Sequence, residues 1–324
     1  MMATFHDPAA EAWFAQRTVS GPGLGPDELR RAKAGAGLTV GVCLPALDEE
    51  ATIGPICGVI TSELVAEGLV DELVVIDSGS SDRTAGVAAE AGATVYRARD
   101  LVPEVPTLAD PGKGESLWKS LAVLDTDVVV WLDSDTRNFG AHFVTGLIAP
   151  ILTDRDIVFT KAFYERPLDT KEGPARPGGG RVTEVAIRPL INLLYPALAG
   201  FVQPLSGEYA GRRDALAEMP FGTGYDVDLL LLIDLVERYG LDRIVQVDLG
   251  SRVHRNRPAD ELGRMSFEIF SALLERLEDG GRLKLADPLP ETMIQFVTAG
   301  GAHTPLSSRR VARRRPPMRT IIER

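Results

Sequence analysis

Cysteine is scarce in this sequence, with only Cys43 and Cys57 among 324 residues. Both lie in apolar stretches, so we expect buried thiols in a reducing cell interior rather than a disulfide-stabilised extracellular domain. No run of about 18 apolar residues occurs, which argues against a helical membrane span. The N-terminus also lacks the basic-then-apolar pattern of a secretory signal. These absences predict a soluble, cytoplasmic protein without a membrane anchor.

Positive charge is also in short supply. The chain has 46 acidic residues against 35 lysines and arginines, which gives a formal net charge of −11. This balance argues against nucleic acid as a general partner. An acidic protein that binds an anionic substrate must concentrate its positive charge locally, so single lysines and arginines in loops become informative.

Short apolar runs alternate with amphipathic segments from residue 38 onward. Residues 38–44 and 72–77 are typical of buried strands, and a helix capped by Thr52 follows the first of them. A helix at 84–91 and a short strand near Val95 come next. This alternation predicts an α/β fold with a doubly wound, mostly parallel sheet.

The second half contains a predicted strand at 156–161 and a predicted helix at 182–198. Between them, residues 167–181 carry three prolines and three consecutive glycines, which predicts a long mobile loop of the kind that forms lids. The arginine-rich tail between Arg309 and Arg315 is predicted to be poorly ordered. A solvated basic arm is favoured there over an oligomer clasp.

Two carboxylates stand at the end of the most apolar strand. Residues 127–132 read Asp-Val-Val-Val-Trp-Leu and are followed directly by Asp133, Ser134 and Asp135. Open α/β sheets bind their ligands beyond the carboxyl ends of the strands. Bare carboxylates would repel a diphosphate, and a divalent cation between the two removes that repulsion. The D-x-D spacing therefore indicates a metal site, with an Asp-rich turn as the alternative.

Three further loops precede this strand end. Residues 45–50 read Pro-Ala-Leu-Asp-Glu-Glu, residues 77–82 read Asp-Ser-Gly-Ser-Ser-Asp, and residues 112–114 read Gly-Lys-Gly. We interpret Lys113 as a phosphate-facing cation, because flanking glycines let the backbone approach an anion closely. In this order the four loops resemble the nucleotide-sugar-binding half of a GT-A glycosyltransferase.

Motifs in the second half narrow the resemblance. They are Gly-Arg-Val-Thr at 180–183, Gly-Thr-Gly-Tyr-Asp-Val-Asp at 222–228, Arg-Val-His-Arg-Asn at 252–256 and Pro-Pro-Met at 316–318. With them the sequence closely resembles the mycobacterial-type glucosyl-3-phosphoglycerate synthases over about residues 5–320.

The resemblance implies transfer of glucose from UDP-glucose to the 2-hydroxyl of 3-phosphoglycerate, with retention at the anomeric carbon. The product would begin methylglucose lipopolysaccharide synthesis. The family also implies Mg²⁺ or Mn²⁺ and a homodimer. The corresponding division of the chain is an N-terminal extension (1–37) before an ordered core that starts at residue 38, a nucleotide-sugar-binding half (38–165), an acceptor-binding half (166–300) and a basic tail (301–324).

The resemblance assigns residues to the donor. The predicted nucleotide-sugar-binding residues are Pro45, Ala46, Leu47, Glu49, Ser78, Lys113, Asp133, Ser134 and Asp228. Asp133, Asp135, Lys113 and Asp228 are the predicted catalytic set. Asp228 stands where the family carries an acidic residue against the glucose hydroxyls, usually the longer Glu. Asp226 in the same loop departs from the usual small residue.

The resemblance also assigns residues to the metal and to the acceptor. Asp135 is the predicted direct metal ligand, and His254 would complete the shell, since imidazole suits Mn²⁺ better than Mg²⁺. Residues 180–183 (Gly180, Arg181, Val182 and Thr183) would cradle the acceptor phosphate at a helix start, and Asn256 would orient its carboxylate. No carboxylate stands out as a nucleophile, which favours front-face attack with the β-phosphate taking the acceptor proton.

Other functions fit parts of the chain. A mannosyl-3-phosphoglycerate synthase would use GDP-mannose with the same acceptor, and a polyprenyl-phosphate sugar transferase fits the first half but works at a membrane. A sugar-phosphate nucleotidyltransferase would need a Gly-rich loop after the first strand, where this chain has residues 45–50. A non-catalytic sugar-nucleotide-binding module is the remaining alternative.

Overall fold

A computed structural model describes residues 5–21, 23–106, 112–170, 173–177, 180–253, 258–299, 302–310 and 313–322. The strands are β1 (Thr18–Ser20), β2 (Val40–Ala46), β3 (Glu72–Asp77), β4 (Thr94–Arg97), β5 (Val128–Trp131), β6 (Phe159–Glu165), β7 (Pro167–Thr170), β8 (Gly173–Pro177), β9 (Tyr209–Arg212), β10 (Phe221–Gly222), β11 (Ile244–Ser251), β12 (Thr292–Ala299), β13 (Ala302–Arg309) and β14 (Arg314–Arg315).

The α-helices lie between these strands and on both sides of them. They are α1 (Pro8–Arg17), α2 (Pro26–Ala36), α3 (Glu50–Val59), α4 (Thr84–Glu90), α5 (Lys113–Ser120), α6 (His142–Thr153), α7 (Arg188–Leu194), α8 (Arg213–Ala217), α9 (Val227–Tyr239), α10 (Ala259–Asp279) and α11 (Arg319–Ile322). Among the described residues, no helix combines the length and the apolar character needed to cross a bilayer.

Eight of the strands form one sheet in the order β1–β11–β6–β9–β5–β2–β3–β4. Neighbours are parallel except β9, which is antiparallel to both β5 and β6. The mostly parallel, doubly wound sheet predicted from the sequence is therefore present, and β9 is the strand that makes it mixed.

The central strand β5 is buried on both faces, which explains its unbroken apolar sequence. Val129 and Trp131 belong to the core on one face of the sheet, and Val128 and Val130 belong to the core on the other. Each is fully buried. Cys43 and Cys57 are likewise free and buried, as expected for core thiols.

The N-terminal segment is part of this core, so the expectation that the ordered core starts at residue 38 is wrong. Trp13 on α1 is buried, stacks on Phe201 with ring centroids 4.2 Å apart, and donates from its indole N–H to the carbonyl of Ile244 at 2.8 Å. Strand β1 extends the main sheet by pairing with β11. The four-part division of the chain stays a prediction.

One expectation for the middle of the chain is wrong and another is confirmed in outline. The segment at 167–181, predicted as a long loop, contains the antiparallel pair β7 and β8. The helix predicted over 182–198 is present but irregular: a π-helical segment at Thr183–Ile187 leads into α7, and a 3₁₀ turn at Pro196–Leu198 follows.

The arginine-rich tail packs against its own chain, which corrects the prediction of a solvated arm. Strand β14 pairs with β10, and Met318 is completely buried. Arg310 makes a bidentate ion pair with Glu275 on α10, and Arg314 pairs with Asp234 on α9 at 3.0 Å. Each arginine therefore has a specific carboxylate partner, which a charge count along the sequence does not reveal.

Candidate active site

The acidic end of β5 lies where the order of the sheet reverses. From β2 the chain builds β3 and β4 on one side, then returns to β5 on the other side of β2. A crevice opens at such a reversal beyond the carboxyl ends of the strands, because the two connections leave in opposite directions. Ala46 ends β2 and Asp133 lies two residues beyond the end of β5. The predicted donor residues at 45–49 and 133–135 therefore share one edge of the sheet.

Hydrogen bonds fasten these two loops together. The Ser134 hydroxyl donates to the carbonyl of Pro45 at 2.8 Å, and the Thr52 hydroxyl donates to the carbonyl of Ser134 at 2.6 Å. Thr52 is thus not the helix cap predicted from the sequence, since α3 already begins at Glu50. Ser134 therefore links the loop after β5 to the loop after β2, a role that its small size alone did not indicate.

A third loop joins them through Asp48, whose backbone has a positive φ of 55°. The Asp48 carboxylate accepts from the backbone N–H of Ser81 at 2.7 Å, and the Ser80 hydroxyl accepts from the Asp48 N–H at 3.0 Å. Ser78, predicted to reach the donor base, shares a 2.8 Å hydrogen bond with the hydroxyl of Ser116 on α5. The loops after β2, β3 and β5 thus form one connected rim.

Lys113 lies between two carboxylates on this rim. Its ammonium is 2.7 Å from Oδ1 of Asp133 and 3.2 Å from Oδ1 of Asp228. Burial alone would lower the pKa of Lys113, but these two carboxylates outweigh it and hold that pKa well above its usual value. The side chain is only 12% exposed. Lys113 is therefore a fixed cation of the crevice and not a surface lysine.

The glycines beside Lys113 allow the backbone at the start of α5 to pack closely against the backbone of residues 222–224. A Cβ at Gly112 or at Gly114 would lie under 3.0 Å from the carbonyl oxygen of Thr223 or of Gly222, respectively. The N–H of Glu115 also donates to the carbonyl of Thr223 at 3.1 Å. The sequence prediction attributed these glycines to an approaching anion. In the structure they let the start of α5 lie directly against the loop that leads to Asp228.

Arg252 bridges both carboxylates of the D-x-D motif. Its Nη2 lies 3.1 Å from Oδ2 of Asp133 and 2.6 Å from Oδ1 of Asp135, and its Nε lies 2.9 Å from Oε1 of Glu208. Burial would raise the pKa of Asp133, but Lys113 and Arg252 beside it hold that pKa well below its usual range. Asp133 is therefore ionised and has a cation on each oxygen.

A buried polar layer supports Arg252 from behind. Glu208 accepts a short hydrogen bond from the hydroxyl of Tyr164, and Arg252 donates to the hydroxyl of Thr136 at 2.9 Å. Burial raises the pKa of Glu208, partly opposed by Arg252. Burial also lowers the pKa of Lys161, near Glu208, to about 8. Glu208, Tyr164 and Thr136 contact the guanidinium and orient it, since a buried charge is stable only when it is paired and hydrogen-bonded.

Gly207 leaves room for the charge cluster. A Cβ at this position would lie under 3.0 Å from both carboxylate oxygens of Asp133 and from the Lys113 ammonium. The carbonyl of Gly207 accepts weakly from Lys113 at 3.4 Å. Gly207 and Glu208 directly precede strand β9. Because β9 is antiparallel to β5 and β6, its first residues lie beside the carboxyl ends of those two strands.

The donor atoms at the strand end suit a hard divalent cation. Asp133 and Asp135 offer carboxylate oxygens only, and the Asp135 side chain is 19% exposed. Within the described ranges, no group of three or more His, Cys, Asp and Glu residues is arranged to hold a metal by itself. Such a site fits an ion that takes one or two carboxylates and completes its shell with substrate phosphates, as Mg²⁺ does.

Two predicted site residues, His254 and Asn256, lie outside the described residues. The described chain reaches Val253, whose carbonyl accepts from the N–H of Arg137 at 2.9 Å, two residues beyond Asp135. Val253 is thus fixed close to the acidic end of β5.

The predicted acceptor cradle begins at Gly180, which has a positive φ of 77° that favours glycine. Val182 and Thr183 are buried, whereas Arg181 is exposed. The N–H of Glu184 donates to the carbonyl of Gly180 at 3.0 Å, so the helical turn starts there. The helix start is present, and the assignment of the acceptor to it stays a prediction.

Sequence reasoning missed Gly207, Glu208, Tyr164 and the bridging role of Arg252. Arg252 belonged to a recognised motif, but only His254 and Asn256 in that motif received a role. The pair at 207–208 precedes an ordinary short strand, and no local pattern distinguishes it. Their proximity to the site can be recognised only when β9 is placed between β5 and β6.

Comparison with known proteins agrees with this geometry. The model of glycosyl transferase family 2 matches residues 42–207. The glucosyl-3-phosphoglycerate synthase of Petrotoga mobilis is 43% identical over 297 residues, covering 91% of each chain. The chain belongs to the glucosyl-3-phosphoglycerate synthase family. The resemblance predicted from the motifs is thereby confirmed, as is the GT-A fold class.

Solved structures support the same assignment. The glucosyl-3-phosphoglycerate synthase of Mycobacterium tuberculosis in complex with Mg²⁺ and UDP matches with a TM-score of 0.81 and 44% identity, covering 94% of this chain and 99% of that one. The mannosyl-3-phosphoglycerate synthase of Rubrobacter xylanophilus matches with a TM-score of 0.88 and 36% identity, covering 97% and 98%. A further structure of the M. tuberculosis enzyme contains Mn²⁺, UDP-glucose and phosphoglyceric acid. The roles of individual residues in this member of the family stay predictions.

Replacing Gly207 with alanine tests the packing of the charge cluster. The added methyl would displace Asp133 or Lys113, and a shift of about 1 Å costs roughly 100-fold in rate. We expect Gly207→Ala to lose on the order of 100-fold in kcat/KM while its circular dichroism spectrum stays that of the wild type. Gly58→Ala is the control, because a Cβ at Gly58 meets nothing within 4 Å. Equal activity of the two variants would contradict the proposed packing.

Asp226 gives a prediction for stability against pH. It is buried and accepts from the N–H of Gly224 at 3.0 Å, and burial raises its pKa from 3.8 to about 6. The folded state therefore binds a proton more tightly than the unfolded chain does. As a result, the contribution of Asp226 to the free energy of unfolding falls as pH rises from about 4 to 6. We expect Asp226→Asn to increase the free energy of unfolding at pH 8 by on the order of 2 to 3 kcal/mol, with no gain near pH 4.

Urea unfolding at both pH values checks this expectation, with the exposed Asp242→Asn as the control. A gain of the same size at pH 4 and pH 8 would show that the benefit does not come from removing the buried charge.

Proposed function

We propose that this chain transfers glucose from UDP-glucose to the 2-hydroxyl of 3-phosphoglycerate, with release of UDP. The arrangement that carries the proposal is the fixed cation Lys113 between Asp133 and Asp228, at the carboxyl end of β5. Relatives with the same fold are named for this reaction, and one contains UDP-glucose and phosphoglyceric acid together.

The nucleotide fits the rim formed by the loops after β2 and β3. Leu47, in the loop after β2, is 51% exposed and offers an apolar surface to the face of a base. Glu49 lies directly before α3, with its carboxylate 3.1 Å from the Thr52 hydroxyl, and carboxylate oxygens of this kind accept hydrogen bonds from ribose hydroxyls. Pro45, Ala46 and Ser78 complete this side of the pocket.

The diphosphate would lie against Asp135 and Lys113. Asp135, and His254 as the resemblance implies, would hold a divalent cation, which would supply positive charge to the leaving UDP. Mg²⁺ or Mn²⁺ fits the oxygen donors of the strand end. Arg252 keeps the Asp135 carboxylate pointed into the crevice. Lys113 exchanges part of its contact with Asp133 and Asp228 for the phosphates, so its charge is available without moving a chain segment.

The acceptor would be anchored at 180–183. The backbone N–H groups at a helix start, the Arg181 guanidinium and the Thr183 hydroxyl all favour a phosphate. Asn256 is proposed to orient the carboxylate of 3-phosphoglycerate on the strength of the resemblance.

Retention of configuration is proposed to proceed by front-face attack. Asp133 has cations on both oxygens, and Asp228 accepts from Lys113 and from the hydroxyl of Tyr209 at 3.1 Å. Carboxylates engaged in this way are weak nucleophiles. The β-phosphate oxygen would accept the proton of the attacking hydroxyl. Trapping of a covalent glucosyl-enzyme would overturn this proposal.

GDP-mannose is the second candidate donor. It is favoured by one observation, the TM-score of 0.88 to the R. xylanophilus mannosyl-3-phosphoglycerate synthase. Both candidates share the acceptor and the metal and differ in the base and the sugar. A donor comparison therefore separates them directly.

We expect nucleotide release when the purified protein is incubated with 3-phosphoglycerate, Mg²⁺ and UDP-glucose. Release should fall to background without 3-phosphoglycerate, after chelation of the metal with EDTA, or with Asp135→Asn. Parallel reactions contain GDP-glucose or GDP-mannose. Turnover with GDP-mannose alone would refute the UDP-glucose assignment.

We also propose a homodimer formed through the hairpin β12–β13. Strand alternation places Ile294 and Phe296 on one face, and they are 54% and 67% exposed. Gln295 on the opposite face donates to the carbonyl of Asp260, so that face is turned toward α10. An exposed apolar strand face of this kind is typical of a contact between subunits. A cytoplasmic location is proposed with it, because UDP-glucose and 3-phosphoglycerate are metabolites of that compartment.

Phe296→Glu should separate the subunits, because a carboxylate would be buried without a partner at the centre of the contact. We expect the mass from light scattering after gel filtration to fall by half. Leu193→Glu, which alters an equally exposed leucine on α7, should leave the mass unchanged. A monomeric wild type would refute the dimer.

A further inference from the structure

The C-terminal segment from Arg313 to Met318 reaches the two arms of the chain that carry Lys113 and Asp228. One arm is the start of α5, and the other is the loop from β10 to the start of α9. None of the sequence motifs assigned the arginines here to the site. Their contacts converge on the donor side of the crevice.

Arg315 contacts the chain at two points on either side of Lys113. Its guanidinium makes a bidentate pair with Glu115, at 2.7 and 2.9 Å, and Nη2 also donates to the carbonyl of Pro106 at 2.9 Å. Pro106 precedes Lys113 by seven residues, and Glu115 lies two residues beyond it. A single planar group with several fixed donors therefore holds these two points of the chain together.

The contact is sealed from solvent. The Glu115 carboxylate is completely buried, and the Arg315 side chain is 12% exposed. The guanidinium carbon lies 5.6 Å from the ring centroid of Trp118, whose indole N–H donates to the carbonyl of Pro316 at 2.8 Å. Lys119 does not replace Arg315, because its ammonium is 3.8 Å from Glu115 and donates to the carbonyls of Ala98 and Leu101.

The backbone of the same segment holds the second arm. Strand β14 pairs with β10, and the N–H of Thr223 donates to the carbonyl of Arg313 at 2.9 Å. The N–H of Arg313 returns a hydrogen bond to the Thr223 hydroxyl at 2.7 Å. From Thr223 the chain runs through Asp226 into α9, which presents Asp228 to Lys113.

We propose that Arg315 is a positioning residue for the donor diphosphate, acting through Glu115 and β10 on the placement of Lys113 and Asp228. The proposal rests on the function proposed above, since it assigns the diphosphate to Lys113. It predicts that a change at Arg315 weakens binding of the donor and leaves binding of the acceptor unchanged, because the proposed acceptor cradle at 180–183 belongs to a different part of the chain.

The test compares Arg315→Gln with Arg314→Gln. Arg314 lies in the same strand, but its side chain pairs with Asp234 on α9, which keeps Arg276 as a second partner. We expect Arg315→Gln to raise KM for UDP-glucose about tenfold and to lower kcat, with KM for 3-phosphoglycerate unchanged. Arg315→Lys should recover part of the loss. Arg314→Gln should behave as the wild type.

A purely structural role would give a different pattern. A smaller folded fraction lowers kcat and leaves both KM values unchanged, and that result would overturn the proposal. An equal effect of Arg314→Gln would overturn it too. If Arg315→Gln fails to fold because Glu115 is left buried and unpaired, the double variant Glu115→Gln, Arg315→Gln removes both charges. A wild-type donor KM in the folded double variant would refute the proposal.

Hydrogen exchange distinguishes failure of this inference from failure of the proposed function. Wild type that binds no UDP and turns over no donor would refute the proposed function. The backbone amides of α5 and β10 should still exchange faster in Arg315→Gln than in Arg314→Gln. That result would support the inference that Arg315 holds these two elements in place. Equal exchange in the two variants would overturn it.

Discussion

The site depends on one arrangement of charge, in which Asp133 is held between Lys113 and Arg252 at the end of a fully buried strand. Each cation also contacts a second carboxylate, Asp228 or Asp135. Because each of these carboxylates contacts a cation of the same chain, the protein itself sets the geometry of the cluster. Preorganisation of this kind is what electrostatic stabilisation of a leaving group requires.

Much of the first half of the fold was predictable, because strands buried on both faces have unbroken apolar sequences and end in polar loops. The run in β5 and the carboxylates after it identified both a central strand and its functional end. The loop at 45–50 was found for the same reason, whereas Lys113 was found from the glycines on either side of it. Their hydrogen bonds were not predictable, since the partners of Ser134 and Thr52 lie 89 and 82 residues away in the chain.

The wrong expectations about the N-terminal segment and the tail share a physical cause: each concerned a segment whose partners are remote along the chain. Strand β1 is three residues long and shows no periodicity, so its place beside β11 could not be inferred. The arginines of the tail resembled a solvated charge run because the carboxylate partners of Arg310, Arg314 and Arg315 lie between 35 and 200 residues earlier. Charge patterning identifies such arginines but does not identify their partners.

The reversed strand β9 places remote residues beside the charge cluster. Because β9 runs against its neighbours, the residues that enter it, and not those that leave it, lie at the carboxyl ends of the parallel strands. Gly207 and Glu208 follow α7 and the 3₁₀ turn at Pro196–Leu198, and α7 continues the helical turn that begins at Gly180. The proposed acceptor cradle and one wall of the charge cluster therefore belong to the same continuous stretch of polypeptide, residues 180–208.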